Sequence, residues 1–120
     1  MTTATRESFL RPFSPRYTTV DLPVCGLTVR IRSLTELERT QYENSRYSRD
    51  GKLIPGRLED AKARLICLCA VDDAGAQLLK AGDEQSVLQM DSADTAALYD
   101  ACWDHVGFAV KKSTENDAKN

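Results

Sequence analysis

The segment that organises this chain is DTAALYDACWDHVGFAVKK, residues 94–112. At about 100° per residue on a helix, its apolar side chains cover roughly 220° of the circumference, whereas a surface helix needs a stripe of about 100°. The central face consists of Leu98, Ala101, Cys102, His105, Val106 and Ala109. It is widened on one side by Tyr99, Trp103 and Val110, and on the other by Phe108. Such a helix is either the centre of its own fold or a surface for another chain.

Both interpretations of this wide apolar arc stay open. In the first, the helix is packed on two sides by other elements of its own chain. In the second, one flank is left for a partner, because Trp and Tyr are the side chains that most often anchor protein interfaces. The hypothesis for a partner-binding surface is the flank formed by Tyr99, Trp103, Val106 and Val110.

A β-hairpin is predicted for residues 17–32, which include the sequence VDLPVCGLTVRIR. Apolar and polar residues alternate on both sides of Cys25 and Gly26, the period-two pattern of two strands joined by a turn. The apolar residues expected on one face are Val20, Leu22, Val24, Leu27, Val29 and Ile31. Pro23 cannot donate to a ladder, so its strand should lie at the sheet edge. Because a lone hairpin is marginal in water, the apolar face should pack on helices.

Three further helices are predicted, at about residues 34–47, 57–71 and 83–90. Two overlapping capping-box patterns, beginning at Ser33 and at Thr35, mark the start of the first helix. In the second helix, residues 65–71 are consecutively apolar and could equally form a buried strand, although the length and the polar start favour a helix. Asp83 is expected to cap the third helix.

These elements predict an α+β fold, mainly α, in which an N-terminal β-hairpin packs on a small bundle of three to four helices. A chain of 120 residues suits a single domain, which we place at residues 17–112. Residues 1–16 are expected to be a flexible arm, because Pro12 and Pro15 exclude a helix there. Residues 113–120 are polar and are expected to be a disordered tail.

The composition is that of an ordinary globular protein, with 42% apolar and 28% charged residues and a net charge of −2. This charge argues against a general affinity for nucleic acid or anionic membranes. Residues 1–49 are more basic, and their arginines could touch phosphates, although a solvated face explains them better. No segment has the pattern of a secretory signal or a membrane span, and three of the four cysteines lie in apolar runs. We therefore expect a cytoplasmic protein with free thiols.

The sequence predicts no catalytic, cofactor-binding or metal site. His105 is the only histidine and lies in an apolar arc, while Cys102, one turn before it, lacks the electropositive setting that a reactive thiolate needs. Cys67 and Cys69 would point about 200° apart on a helix and could not chelate one ion. The acidic turn at Asp72 supplies too few carboxylates for a calcium loop and is better interpreted as a turn that ends a helix. We therefore predict that the chain is not an enzyme.

The order of the segments carries a family resemblance. The VDLPVCGLTVRIR hairpin leads into a helix start with SLTELER, and a second helix leads into VDDAGAQLL. A short acidic turn and helix at residues 83–90 precede the last helix, and a charged tail ends in AKN. Over residues 20–120 the chain resembles the small tail assembly chaperones of long-tailed bacteriophages and prophages.

The resemblance implies a non-enzymatic function with no cofactor. Such chaperones coat the tape measure protein, keep it soluble and help tail tube subunits polymerise around it, and they are absent from the finished virion. In many of these phages a ribosomal frameshift appends a second domain that recruits the tube protein. The expected partners are thus the tape measure protein and the tail tube protein, and a homo-oligomer stays open.

Two other classes of function also stay open. The first is a minor structural or connector component of a phage tail, which mass spectrometry of purified particles would detect. The second is a small nucleic-acid-binding regulatory module that uses the arginines of residues 1–49, and its binding would depend on salt.

Overall fold

The computed structural model describes residues 2–45, 47–54 and 59–108. In this part of the chain the elements are α1 (Arg6–Phe9), β1 (Tyr17–Asp21), β2 (Thr28–Arg32), α2 (Glu36–Asn44), α3 (Ala61–Cys69), β3 (Ala70–Val71), α4 (Glu84–Val87) and α5 (Ser92–Val106). The described strands form one antiparallel sheet in the order β1-β2-β3. The predicted fold class, α+β and mainly α with a hairpin packed on helices, is confirmed.

The hairpin of β1 and β2 pairs Val20 with Val29. Gly26 has a φ of +73° in the connecting turn, a conformation that glycine adopts at little cost. Two residues of the predicted apolar face, Val24 and Leu27, are exposed rather than buried. Both lie in the turn, beyond the last paired residues of the two strands.

Pro23 does not interrupt the sheet. It lies in the same turn, after β1 has ended at Asp21, so no ladder bond is required of its nitrogen. Among the described residues, β1 pairs only with β2 and is therefore an edge strand, as the proline predicted. The physical reason differs, since the proline ends the strand instead of occupying it.

The apolar run at residues 65–71 forms both a helix and a strand. α3 ends at Cys69, and Ala70 leaves the helical region with φ −68° and ψ 127°. β3 then pairs with β2, which places Ala70 opposite Ile31. The predicted helix at 57–71 therefore ends two residues early, and the structure describes its start at Ala61, with residues 55–58 outside the described part.

The last helix is shorter than predicted. The side chain of Asp91 caps α5 by accepting the N–H of Ala93, and the helix ends at Val106. Gly107 then adopts a φ of +107°, the left-handed conformation that terminates many helices. The prediction of a helix through residue 112 is thus wrong at residues 107–108, and residues 109–112 lie outside the described part.

The shorter helices also differ from their predicted bounds. α1 lies inside the arm, so the prediction that prolines exclude a helix there is wrong, because Pro12 and Pro15 follow α1 rather than interrupt it. α2 lies within the predicted 34–47, and its capping box uses Thr35 rather than Ser33. α4 is a single turn that lies within the predicted 83–90, and the side chain of Asp83 makes no capping hydrogen bond to it. The predicted tail at 113–120 lies outside the described residues.

The core is formed where α3 and α5 pack on each other and α5 packs on the hairpin. Its buried side chains are Leu22, Ile31, Tyr42, Ala63, Leu65, Ile66, Cys67, Cys69, Val87, Leu98, Cys102 and Phe108. No helix in the described residues combines the length and the apolar character that crossing a bilayer requires.

Candidate partner-binding surface

A row of aromatic rings lies on and beside the flank of α5 that the sequence predicted as a partner surface. Trp103 stacks on Phe108, with ring centroids 4.2 Å apart and ring planes 20° apart. Tyr99 lies 5.8 Å from Trp103, and Tyr42 meets Phe108 edge-on at 6.3 Å. We call these four rings the aromatic row. Such contacts contribute about 0.5–1.5 kcal/mol per pair beyond the burial of their area.

Phe108 is the member of the aromatic row that the sequence analysis placed on the wrong side. A helix continued through Gly107 would put this ring on the opposite edge of the apolar arc from Trp103. Because α5 ends before Gly107, the chain turns back, and the N–H of Phe108 donates to the carbonyl oxygen of Trp103 at 3.2 Å. A glycine near the end of an apolar periodic pattern is the signal that could have located Phe108.

The described members of the predicted surface lie together but are not fully open. Tyr99, Trp103 and Val106 are half-buried and pack against the core. Val110, the fourth predicted residue, lies outside the described residues. The surface that these side chains present is therefore a shallow apolar strip along α5 rather than a pocket.

Cations lie over three rings of the aromatic row, and the guanidinium of Arg64 is 5.8 Å from the centroid of Tyr42. The guanidinium of Arg39 is 4.5 Å from the centroid of Phe108, and Nζ of Lys62 is 5.1 Å from that of Tyr99. A cation over an aromatic face contributes about 0.5–1 kcal/mol at exposed sites. The strip is thus apolar along its length, with cationic side chains over its rings.

Asp94 fastens the hairpin turn to the start of α5. Its side chain is buried, and the carboxylate accepts the N–H of Val24 at 2.8 Å and the N–H of Cys25 at 3.1 Å. The same carboxylate lies in the first turn of α5, where the helix dipole favours a negative charge. Asp94 is therefore a structural anchor between two elements that are about 70 residues apart in sequence.

His105 joins the end of the arm to the end of α5. Its Nε2 lies 2.7 Å from the carbonyl oxygen of Arg16, and this nitrogen must carry a proton because a carbonyl can only accept. The guanidinium of Arg16 in turn donates to the carbonyl oxygen of His105 at 2.9 Å. The main chain of Arg16 also pairs with Ser33 through two hydrogen bonds of 2.8 Å. The imidazole thus has a structural role, because it links the end of the arm to the end of α5.

Three arginines of the basic front half, Arg30, Arg32 and Arg39, also have structural partners. Arg30 donates to the carbonyl oxygen of Asp73 at 2.6 Å. Arg32 makes two parallel bonds to Glu38, of 3.0 and 2.8 Å, and Arg39 forms an ion pair within α2. Guanidinium groups held in this way are less available to phosphates, which weakens the nucleic-acid alternative.

The ion pair between Arg32 and Glu38 makes an acid-sensitive contribution to stability. Hydrogen bonds from Arg32, followed by the backbone N–H of Thr35, lower the pKa of Glu38 from 4.5 to about 2. Because the folded-state pKa lies below that of the unfolded chain, the stabilisation is complete above about pH 4.5 and disappears as the pH falls toward 2. Solvent screens this pair, since Glu38 is 31% exposed, and we expect it to contribute about 1 kcal/mol.

Glu38→Gln tests this contribution. Urea unfolding should give a variant that is less stable than the unmodified chain at neutral pH by about 1 kcal/mol, and the difference should shrink steadily as the pH falls toward 2. Glu43→Gln is the matched control, because the pair of Glu43 with Arg39 is more exposed and should contribute only a few tenths of a kcal/mol. A difference for Glu38→Gln that stayed constant with pH would contradict the role of the charge.

The buried thiols do not have the environment of reactive cysteines. Burial, with a smaller effect of Glu84 and Asp83, raises the pKa of Cys67 to about 11. A hydrogen bond shared with Cys69, together with burial, raises the pKa of Cys102 far above its ordinary value. Both thiols therefore stay protonated at neutral pH. In the described ranges, no group of three or more His, Cys, Asp or Glu side chains is placed to hold a metal ion.

In the acidic turn after β3, the carboxylate of Asp72 accepts hydrogen bonds from the backbone of the turn itself. Oδ1 of Asp72 accepts the N–H of Ala74 at 2.9 Å and the N–H of Ala76 at 3.0 Å. Gly75 has a φ of +85°, and a Cβ at this position would lie 2.8 Å from the hydroxyl oxygen of Tyr17. The turn therefore reverses the chain, as predicted, although it follows a two-residue strand rather than a helix.

Comparison with known proteins adds a fold-level relationship to this geometry. No family model matches the chain, and no curated protein matches it in sequence. The solved structure of the bacteriophage HK97 tail assembly chaperone matches 82% of this chain and 89% of its own chain, with a TM-score of 0.58 and 15% sequence identity. The predicted resemblance to a tail assembly chaperone is confirmed for the fold. The match covers most of both chains, so the shared architecture extends beyond a local motif.

Proposed function

We propose that this chain is a non-enzymatic tail assembly chaperone of a long-tailed phage or prophage. It binds the tape measure protein in the host cytoplasm, keeps it soluble and promotes assembly of the tail tube around it. The observation that carries the proposal is the fold that the chain shares with the HK97 tail assembly chaperone over most of both chains. The protonated thiols and the engaged imidazole are consistent with a binding function rather than a reaction.

The proposed client surface is the strip formed by Tyr99, Trp103 and Val106, to which Val110 is added from the sequence. A helical client presents an apolar stripe, and such a stripe is recognised by apolar and aromatic side chains along a shallow face. The ammonium group of Lys62 at the edge would pair with acidic side chains that border the stripe of the client. Aromatic anchors with a charged rim are the usual anatomy of a protein interface.

The test is co-expression with the tape measure protein from the genome that carries this chain. The unmodified chain should raise the soluble fraction of the tape measure protein several-fold over expression alone. The double variant Tyr99→Ser with Trp103→Ser should abolish most of this gain, because it removes both aromatic anchors of the strip. The soluble fraction is measured by quantitative gel analysis of clarified lysates.

Leu37→Ser is the matched control, because it removes a large apolar side chain that is 66% exposed on α2 and is not a member of the strip. This variant should protect the tape measure protein as well as the unmodified chain does. Circular dichroism of the double variant decides what a loss of protection means. If the double variant unfolds, Tyr99 and Trp103 belong to the core and the surface assignment fails; if the unmodified chain gives no protection, the proposed function itself fails.

A further inference from the structure

One side of the backbone of β1 faces away from the rest of the sheet. Two hydrogen bonds fix the direction of its backbone groups: the N–H of Ser33 donates to the carbonyl oxygen of Arg16 at 2.8 Å, and the N–H of Leu22 donates to that of Leu27 at 2.9 Å. Because bonded and non-bonded pairs alternate along an antiparallel ladder, the even-numbered residues of β1 bond to β2 and the odd-numbered ones point outward. The outward-facing residues are Tyr17, Thr19 and Asp21.

These three residues leave their main-chain groups available. All three are exposed, and no hydrogen bond from any other described residue reaches their N–H groups or carbonyl oxygens. The outer side of β1 therefore presents three donors and three acceptors at the spacing of a β ladder. We call this side of the strand, from Tyr17 to Asp21, the β1 edge.

The β1 edge lacks the features that usually protect an edge strand. Proteins block such edges with lysines, prolines or bulges. The sequence of β1, YTTVD, contains no lysine or proline, and its pairing with β2 is continuous. Pro15 and Pro23 lie just outside the strand, so a strand added here could pair along residues 16–22 at most. The β1 edge is thus open, but only to a short extended segment.

α5 forms a wall beside the β1 edge, on the inner face of the sheet. It runs antiparallel to β1, because His105 contacts Arg16 before the strand and Asp94 contacts the turn after it. Cys102 of α5 faces Cys69 of α3, and α3 leads directly into β3, at the opposite edge of the sheet. The flank of α5 away from α3 therefore lies on the side of the β1 edge. By helical spacing, this flank carries Ala97, Ala101, Asp100 and Asp104.

The space between this wall and the β1 edge is uncovered. Thr18 lies opposite Ile31 on the inner face, yet Thr18 is exposed whereas Ile31 is fully buried. Ala97 and Ala101 are half-buried and end at Cβ, so they leave room for the side chains of an added strand. Apolar side chains of moderate size fit this position.

The charges that border the β1 edge are mainly acidic. Asp100 and Asp104 are exposed on the wall, and Asp21 lies at the end of the strand itself. Arg16 is the cation at the other end, where its guanidinium donates to the carbonyl oxygen of His105. Three carboxylates against one engaged guanidinium favour a segment that carries lysine or arginine.

The same observations disfavour two other occupants. Two-fold pairing of two β1 edges would set Asp100 and Asp104 of one copy against the same carboxylates of the other, which is repulsive. The arm of the chain itself contains Pro12 and Pro15, which have no N–H to donate, and α1 occupies Arg6–Phe9 before them. A separate partner is free of both restrictions.

We propose that the β1 edge binds an extended basic segment of a partner protein, which becomes a fourth strand of the sheet. Main-chain hydrogen bonds to Tyr17, Thr19 and Asp21 supply the affinity, and the bordering carboxylates select the basic side chains. The edge shares no residue with the aromatic row, so this binding does not depend on the proposed function.

Hydrogen exchange of the full chain, measured residue by residue by NMR, tests the proposal. The probe is a blocked peptide of about nine residues in which valine and lysine alternate. In the free chain, the amides of Tyr17, Thr19 and Asp21 should exchange rapidly, whereas those of Thr18 and Val20 should be protected by β2. A saturating concentration of the peptide should slow the first three by at least about tenfold and leave the other two unchanged.

Two altered peptides separate strand addition from general attraction between charges. Replacing every lysine by glutamate keeps the alternation but reverses the charge, and it should weaken binding by at least about tenfold. N-methylation of the central residues keeps the charge but removes main-chain donors on both sides of the peptide, and it should weaken binding by a similar factor.

On the protein, Asp100→Lys combined with Asp104→Lys should reverse the preference in favour of the glutamate peptide. Asp50→Lys is the matched control, because it changes an exposed acid in the loop after α2 and should bind like the unmodified chain. Unchanged exchange at Tyr17, Thr19 and Asp21 would overturn the proposal, as would equal binding of the N-methylated or the glutamate peptide. Protection of these amides that rises with protein concentration, without peptide, would assign the edge to a second copy and would equally overturn it.

Discussion

Replacing Asp94 by Ala should lower the free energy of unfolding by about 3 kcal/mol. The buried carboxylate accepts two backbone N–H groups of the hairpin turn, at 2.8 and 3.1 Å, and no other described acceptor is bonded to either group. A hydrogen bond to a charged group contributes about 1.5–3 kcal/mol, and the two bonds share one carboxylate. Urea denaturation of Asp94→Ala beside the unmodified chain measures the loss.

Two further variants identify the cause of the loss. Asp100→Ala removes an exposed carboxylate from the same helix and should change stability by less than about 0.5 kcal/mol. Asp94→Asn keeps one acceptor oxygen but turns an NH₂ group toward a backbone N–H, so it should lose more than half of the stability that Asp94→Ala loses. An Asp94→Ala variant as stable as Asp100→Ala would show that the turn does not depend on this anchor.

The role of Asp94 illustrates what the sequence could and could not show. Its position in the first turn of α5 follows from local rules, because acids favour helix N-termini. Its contacts with Val24 and Cys25 join segments about 70 residues apart, and no periodicity or capping pattern carries that information. The same holds for Arg16 and His105, which meet only because β1 and α5 lie side by side.

The helices and strands themselves could be predicted more completely from the sequence, because the patterns that indicate them are local. Alternation from Val20 to Ile31 predicted the hairpin, and the sheet adds only the two-residue β3 that the sequence left as part of a helix. In residues 65–71 every position is apolar, so period 2 and period 3.6 fit equally well. Tertiary pairing with β2 decides that the last two of them become a strand.

The aromatic row could be predicted in part. Tyr99 and Trp103 share a face by helical spacing, and the structure keeps them in contact at 5.8 Å. Phe108 joins them only because Gly107 ends the helix, which a pattern continued to residue 112 ignored. A single glycine thus determines both the length of α5 and the membership of the aromatic row.

Phe108→Ala should lower the free energy of unfolding by about 3 kcal/mol, because it removes a ring that is buried between Trp103 and Tyr42. It should also shift the fluorescence emission of the chain to longer wavelength, since Trp103 is the only tryptophan and would gain contact with water. Both effects are measured on the same urea titration. Unchanged emission and unchanged stability would show that the ring does not cover Trp103 in solution.

Phe108→Leu separates the two roles of this ring. Leucine keeps apolar volume over Trp103 but loses the stacking contact, so the cost should be only about 1 kcal/mol and the chain should stay folded. In a folded Phe108→Leu variant, any loss of tape measure solubility must come from the altered surface rather than from unfolding. If solubility is instead unchanged in this variant and lost in Tyr99→Ser with Trp103→Ser, the client contacts the α5 side of the aromatic row and Phe108 serves to hold Trp103 in place.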